Sequence, residues 1–237
     1  MALDGPSFTV PERTVCGLIG PNGAGKTTMF NCVTRLVHPQ EGSIRFDGTE
    51  LLEKQAHEIA HLGIARTFQN LALVPSLTVR ENVMIGAHHR AKAGFVGSML
   101  WSPGVRREER ELAEEADEIL GRLALGQYSD SPAHGLAYGT LKRVEIARAL
   151  MQHPKLMLLD EPAAGLTHGE VDELGDTLER LRDEFGLTLL LVEHHMGMVM
   201  RVSQQVVVLD FGRLIASGPP SEVQQNPKVI EAYLGAS

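Results

Sequence analysis

The chain has 237 residues, with 22 Lys and Arg against 30 Asp and Glu, a formal net charge of −8, and 43% hydrophobic residues. That balance excludes a disordered chain and leaves enough apolar material for a real core. The acidic surplus argues against a general nucleic-acid binder, which needs a basic footprint, and no apolar run reaches the roughly 18 residues of a membrane span.

In chain order, residues 14–19 read as a strand and 26–37 as a helix. A short strand at 43–46 runs into Asp47-Gly48, a hairpin signal, and 65–68 reads as another strand. Strand signals then vanish from about Asn70 to Met151. Thr78-Val79-Arg80-Glu81 has the form of a capping box opening a helix. Residues 105–125 form an amphipathic helix, with Leu112, Ala116, Ile119, Leu120 and Leu123 on one stripe. Arg106, Glu109, Arg110, Glu114, Asp117 and Glu118 cover its other faces, as a solvated surface does. Strands resume at 155–159, 187–192, 205–209 and 214–216. The runs at 156–159 and 187–192 are apolar or nearly so throughout, the mark of buried parallel strands. Strands alternating with helices predict an α/β fold with a largely parallel sheet, an antiparallel β edge and an inserted helical lobe. The expected organisation is one domain over 1–237 with a helical subdomain at 70–151.

Cys16 and Cys32 give no disulfide framework and read as buried thiols of a reducing compartment. No basic region followed by an apolar stretch opens the chain, so no signal peptide is expected. A cytoplasmic protein, or one held at a membrane by a partner, follows from these features.

Two motifs carry chemistry. Gly20-Pro21-Asn22-Gly23-Ala24-Gly25-Lys26-Thr27 matches the phosphate loop G-x-x-x-x-G-K-[ST], between a strand and a helix. Its glycines let backbone N–H groups turn toward phosphate oxygens. Lys26 offers a charge to the β- and γ-phosphates, and Thr27 a hydroxyl to Mg²⁺; Thr28 follows as part of the nucleotide site. The second motif is the apolar run ending in Asp160-Glu161, two carboxylates at a strand's C-terminal end, where open α/β sheets bind ligands. Asp160 is placed to hold Mg²⁺ and Glu161 to polarise an attacking water. Adjacent strand residues point opposite ways, which keeps the two roles apart.

With these motifs in place, the chain resembles the ATP-binding subunits of ABC transporters over essentially its whole length. Leu136-Ala137-Tyr138-Gly139-Thr140, followed by a helical run to Leu150, is similar to the signature that caps the γ-phosphate bound to the opposite subunit. Gln69 sits where the family's Q-loop glutamine contacts Mg²⁺ and water, and His194 where the switch histidine contacts the γ-phosphate. Ala164-Gly165-Leu166-Thr167 occupies the D-loop. Glu193-His194-His195 also admits a metal-cluster reading, disfavoured because adjacent strand residues diverge.

The resemblance implies ATP and Mg²⁺, a second ATP-binding subunit, membrane-spanning permease partners and, indirectly, a substrate-binding protein, with no nucleic acid. It implies a place at the cytoplasmic face of the membrane. The chain departs from the pattern at Ala137, usually Ser, and at Thr167, usually Asp or Asn. The family's adenine-stacking aromatic falls ahead of Met1, while Phe8 reads as core. Weaker ATP binding than in an N-terminally extended form is the expectation.

Within the family, the runs 65–70, 137–143 and 192–196, the insert at 94–103 and the ending Ala232-Tyr233-Leu234-Gly235 look like the ATPases of branched-chain amino acid importers. A lipid or lipopolysaccharide exporter ATPase and a soluble ABC-type ATPase are the alternatives. Phe95, Met99, Leu100 and Trp101 form an apolar patch, either a permease dock or a hinge packed under the helical lobe. Met196, Met198 and Met200 read as filler, and His88 and His89 as surface residues.

Overall fold

The apolar runs that punctuate the sequence become the strands of one six-stranded sheet. The structure, a computed structural model, describes residues 2–67, 71–88, 90 and 103–234, with side chains for all of these except 103–105 and 234. They divide into two units, Met1–Arg66 with Lys155–Ser237, and Thr67–Pro154.

The first unit carries the sheet. Its strands are β1 (Val15–Ile19), β4 (Ile64–Arg66), β5 (Leu156–Asp160), β6 (Thr188–Val192), β7 (Gln205–Asp210) and β8 (Arg213–Gly218), in the order β4-β5-β6-β1-β7-β8. All neighbours are parallel except β7 and β8, which pair antiparallel at the edge. β1 is buried along its whole length, as a central strand covered on both faces must be. Because β1, β5 and β6 run the same way side by side, their C-terminal ends share one rim of the sheet.

The hairpin at Asp47-Gly48 forms as predicted, but β2 (Arg45–Phe46) and β3 (Thr49–Glu50) make a separate two-stranded sheet. Asp47 and Gly48 both have positive φ, 49° and 77°, as a type I′ turn requires. The antiparallel edge of the main sheet is β8 instead.

Helix α1 (Lys26–Val33) stops short of the predicted residue 37. Arg35 turns left-handed at φ 61°, and the amides of Leu36 and Val37 donate back to the Asn31 carbonyl, closing the helix. Leu36 is then left largely exposed, so its apolar character belongs to the surface rather than to a helix face. Phe30, Leu18, Leu158, Leu190, Val207 and Leu209 are among the buried residues of the core, and Phe8 packs against it as predicted. Cys16 and Cys32 are free and buried, and burial pushes the Cys16 thiol up to about 12.

Helix α5 (His168–Phe185) ends on Gly186 at φ 62°. Helix α6 (Met196–Val202) follows β6. Met198 is buried, while Met196 and Met200 line an apolar cleft with Ile230 and Tyr233 of α7 (Pro227–Leu234).

The second unit is helical, and among its described residues the only strand-like pairing is one bridge between Thr78 and Pro132. The Thr78 capping box opens α2 (Val79–Met84): Thr78 Oγ1 accepts from the Glu81 amide, and the Glu81 carboxylate accepts from the Thr78 amide. Asn82 is fully buried and satisfied, donating to the carbonyls of Val74 and Thr78 and accepting from the Val74 amide. Helix α3 (Pro103–Arg122) buries Ala116, Ile119 and Leu120 of the predicted stripe, with Leu112 half-buried and Leu123 buried just past the helix end. Its outer faces carry i,i+4 pairs, Arg107–Glu111 and Arg122–Glu118. Gly86 lies so close to α4 (Tyr138–Leu150) that a Cβ there would stand 2.0 Å from the Arg148 carbonyl oxygen. His88 is exposed. His89 and the patch Phe95, Met99, Leu100 and Trp101 lie outside the described residues. No helix among the described residues is long and apolar enough to cross a membrane.

Candidate functional site

The loop after β1 is shaped by glycine. Gly20 and Gly25 have φ of 151° and 100°, and Gly25 caps α1. A Cβ at Gly20 would stand 2.1 Å from the Leu209 carbonyl oxygen, and one at Gly25 2.6 Å from that of Ala2. Only glycine allows this approach. Gly23, at φ 80°, faces open space. The Gly212 amide donates to the Ala24 carbonyl at 3.0 Å, so the turn after β7 braces the loop. Asn22 and Thr27 are exposed, Thr28 is half-buried and Ala24 is buried.

Lys26 is buried, and its Nζ donates back to the carbonyls of Gly20 at 2.6 Å and Pro21 at 3.0 Å. These bonds hold the ammonium along the inside of the loop. Burial lowers its pKa, while the negative charges of Glu161 and Asp160 pull it up. A helix N-terminus and a partly desolvated cation together make an anion site.

The carboxylates at the end of β5 reach different partners. Asp160 is buried and pairs through Oδ2 with Arg66 Nη2 at 2.8 Å. Arg66, at the end of β4, also donates to Asn31 Oδ1 at 2.7 Å and lies over the Phe30 ring, 5.5 Å from its centroid. Glu161 has left the strand: its φ is 48°, and its amide donates to the Val192 carbonyl at 2.8 Å. Glu161 Oε1 lies 3.0 Å from Nε2 of His194, which stands half exposed just past β6.

Glu193 is buried and accepts three backbone bonds, from Ala163 at 2.6 Å, His194 at 2.7 Å and His195 at 3.1 Å. Among the described residues no cluster of three or more His, Cys, Asp or Glu could hold a metal ion. Asp160 and Thr27 are hard oxygen donors. They suit Mg²⁺, which keeps much of its shell as phosphate and water oxygen.

Ala137 precedes α4, with Tyr138 and Gly139 in its first turn. Ala137 and Tyr138 are exposed, Leu136 and Gly139 half-buried. The buried Lys142 lies 5.5 Å from the Tyr138 ring centroid. Thr167 caps α5, with the Glu170 carboxylate accepting from its amide and hydroxyl at 2.8 and 2.7 Å. Gln69 lies outside the described residues.

The rim therefore brings together Glu161 and His194 directly, and sets them beside the loop of Lys26. Sequence reasoning missed Arg66, Glu193 and Tyr233 as parts of this arrangement. The Tyr233 phenol meets the Gly20 amide, and burial raises its pKa against that hydrogen bond. Arg66 and Glu193 each had a signal, a charge set directly against a buried strand.

The family profile described as ABC transporter matches residues 3–164, and one described as branched-chain amino acid ATP-binding cassette transporter matches 213–237. The chain is 43% identical over 235 residues to the high-affinity branched-chain amino acid transport ATP-binding protein BraF of Pseudomonas aeruginosa, covering 99% of this chain and 92% of that one. It is 40% identical, at the same coverage, to the corresponding protein LivG of Salmonella typhimurium. A solved ATP-binding cassette of an ABC transporter, in its ADP conformation, superposes with a TM-score of 0.85 at 34% identity, covering 99% of this chain and 92% of that one.

Proposed function

The chain belongs to the family of ABC transporter ATP-binding cassettes, and from that premise we propose that it is the ATP-hydrolysing subunit of a branched-chain amino acid importer. The observation that carries the catalytic reading is the 3.0 Å contact between Glu161 and His194, on the rim of the sheet that also bears the Lys26 loop. The amino acid reading rests on likeness to BraF and LivG over nearly the whole chain.

In the mechanism, the amides of Gly23, Gly25 and their neighbours cradle the phosphates of ATP, and Lys26 exchanges its loop carbonyls for phosphate oxygens. Thr27 and Asp160, with Gln69, would hold Mg²⁺, which would supply charge neutralisation at the phosphates. Glu161 orients a water toward the γ-phosphorus and takes its proton as the bond to ADP breaks. His194 keeps that carboxylate in place and faces the γ-phosphate. Catalysis is positioning plus electrostatics, with little covalent work for the protein.

Two ATP-binding subunits close head to tail. Each nucleotide lies between one Lys26 loop and the opposite subunit's Leu136-Ala137-Tyr138-Gly139 segment, whose helix amides supply the donors that a signature serine would share. The chain works at the cytoplasmic face of the membrane, held there by permease partners, as one domain with a helical subdomain at 70–151.

Affinity isolation of the chain from detergent-solubilised native membranes tests this. Two multi-span permeases and a second small ATPase are the expected companions. A permease joined to lipid-handling proteins would move the reading to an exporter, and no membrane partner at all would overturn the transport claim.

A further inference from the structure

Glu193 is 2% exposed, and both its carboxylate oxygens are engaged by backbone amides. Oε1 accepts from Ala163, two residues past Glu161; Oε2 accepts from His194 and His195. A second stitch joins the same two segments, the Glu161 amide to the Val192 carbonyl at 2.8 Å. The chain that carries the water-orienting carboxylate and the chain that carries its histidine partner are therefore tied twice, once by backbone and once by a buried side chain.

We propose that Glu193 is a positioning residue that sets Glu161 and His194 against each other by pinning the two segments that bear them. The need for such a pin is visible in Glu161 itself. Its φ of 48° lies in the left-handed region, where a residue with a long side chain persists only if its surroundings over-determine it. Charge-assisted bonds from backbone N–H to a carboxylate are among the stronger ones available, and a buried carboxylate can accept several at once. An apolar residue at this position would leave three amides without their acceptor. The two segments would then re-pack to find water, and the 3.0 Å contact between Glu161 and His194 would be the first geometry lost. Ala163 also leads straight into Ala164-Gly165-Leu166-Thr167, so the same carboxylate fixes the start of the segment in the D-loop position.

The inference rests on the ATPase reading of the Glu161–His194 pair, so its test has one arm that does not need turnover. Glu193→Ala and Glu193→Gln are compared with Val207→Ala, a core truncation on β7, two strands away from β6. In the assembled transporter, Glu193→Ala lowers kcat for MgATP at least tenfold and leaves KM within about twofold. Glu193→Gln, which keeps one oxygen acceptor, falls between it and wild type. Val207→Ala changes stability but not this split. In the isolated chain, ring ¹⁵N NMR shows the His194 Nε2 signal moving toward that of a free imidazole in Glu193→Ala and staying in place in Val207→Ala. Loss of kcat that merely tracks melting temperature in all three variants, or a His194 signal unmoved by Glu193→Ala, overturns the proposal. A transporter without ATPase activity whose His194 signal still moves would sink the ATPase reading and leave the positioning role standing.

Discussion

Glu161 Oε1 lies 3.0 Å from His194 Nε2, although 33 residues separate them in sequence. Parallel pairing of β5 with β6 produces this proximity, because it brings both strands to an end on the same rim. His194 is half exposed and Glu161 about a fifth exposed, so the pair is open to a substrate rather than sealed in the core. A carboxylate oriented by a histidine at the open rim of an α/β sheet is suited to hold a water.

Glu161→Gln keeps the shape of the side chain and removes its basicity. ATP hydrolysis falls by roughly 10²–10⁴, the usual contribution of a general base, while MgATP still binds and holds the two subunits together. Stopped turnover with an ATP-stabilised dimer on size-exclusion chromatography is the expected result. Unchanged hydrolysis would remove Glu161 from the role of base.

Arg66→Ala breaks the pair with Asp160, whose partners are 10% and 4% exposed. Removing one member of a buried ion pair costs about 3–5 kcal/mol because it strands the other charge. Arg66→Lys keeps the charge without the planar fork that also reaches Asn31, and recovers only part of the loss. Denaturant unfolding reads the difference; a change under about 1 kcal/mol for Arg66→Ala would contradict the pairing.

Glu115 couples stability to pH within the helical unit. Burial pushes its carboxyl pKa up, but hydrogen bonds from Arg90 and His153 prevail and hold it below the ordinary 4.5. The native state thus binds fewer protons than the unfolded one between the lowered value and 4.5, so this stability is present above 4.5 and lost as pH falls through the native pKa. Glu115→Gln flattens that acid limb, measured as melting temperature against pH. An acid limb as steep as wild type would show that other carboxylates carry it.

Gly86→Ala and Gly121→Ala move stability in opposite directions. A methyl group at Gly86 meets the Arg148 carbonyl oxygen at 2.0 Å and costs about 1–3 kcal/mol or more by overpacking. Gly121, in the last turn of α3, has nothing within 4 Å of its would-be Cβ. Alanine there stabilises the helix by about 0.5–1 kcal/mol. Paired thermal melts distinguish the two.

Much of the fold was legible because burial wrote it into composition. The apolar runs at 156–159 and 187–192 could be little other than covered strands, and β5 and β6 formed there. The helix after the phosphate loop was overextended because Leu36 and Val37 look like a continuing apolar face; the left-handed turn at Arg35 is backbone geometry, with no glycine to announce it. At the site, Lys26, Asp160 and Glu161 are legible from their motifs, and His194 only from the family resemblance. Arg66 and Glu193 were not assigned roles, because Asp160, the partner of Arg66, and Ala163, a partner of Glu193, are each distant in sequence. Arg66 meets Asp160 only through the pairing of β4 with β5. Glu193 enters the sequence reading only through a disfavoured metal-cluster alternative, and its partner Ala163 lies 30 residues away in the chain.

The most direct test is uptake of radiolabelled leucine by proteoliposomes holding the complex isolated through this chain, with and without MgATP at the face bearing the chain. The account predicts ATP-dependent accumulation with the wild-type chain and none with Glu161→Gln. A complex that hydrolyses ATP at full rate with its binding protein present, yet moves no branched-chain amino acid, would contradict it.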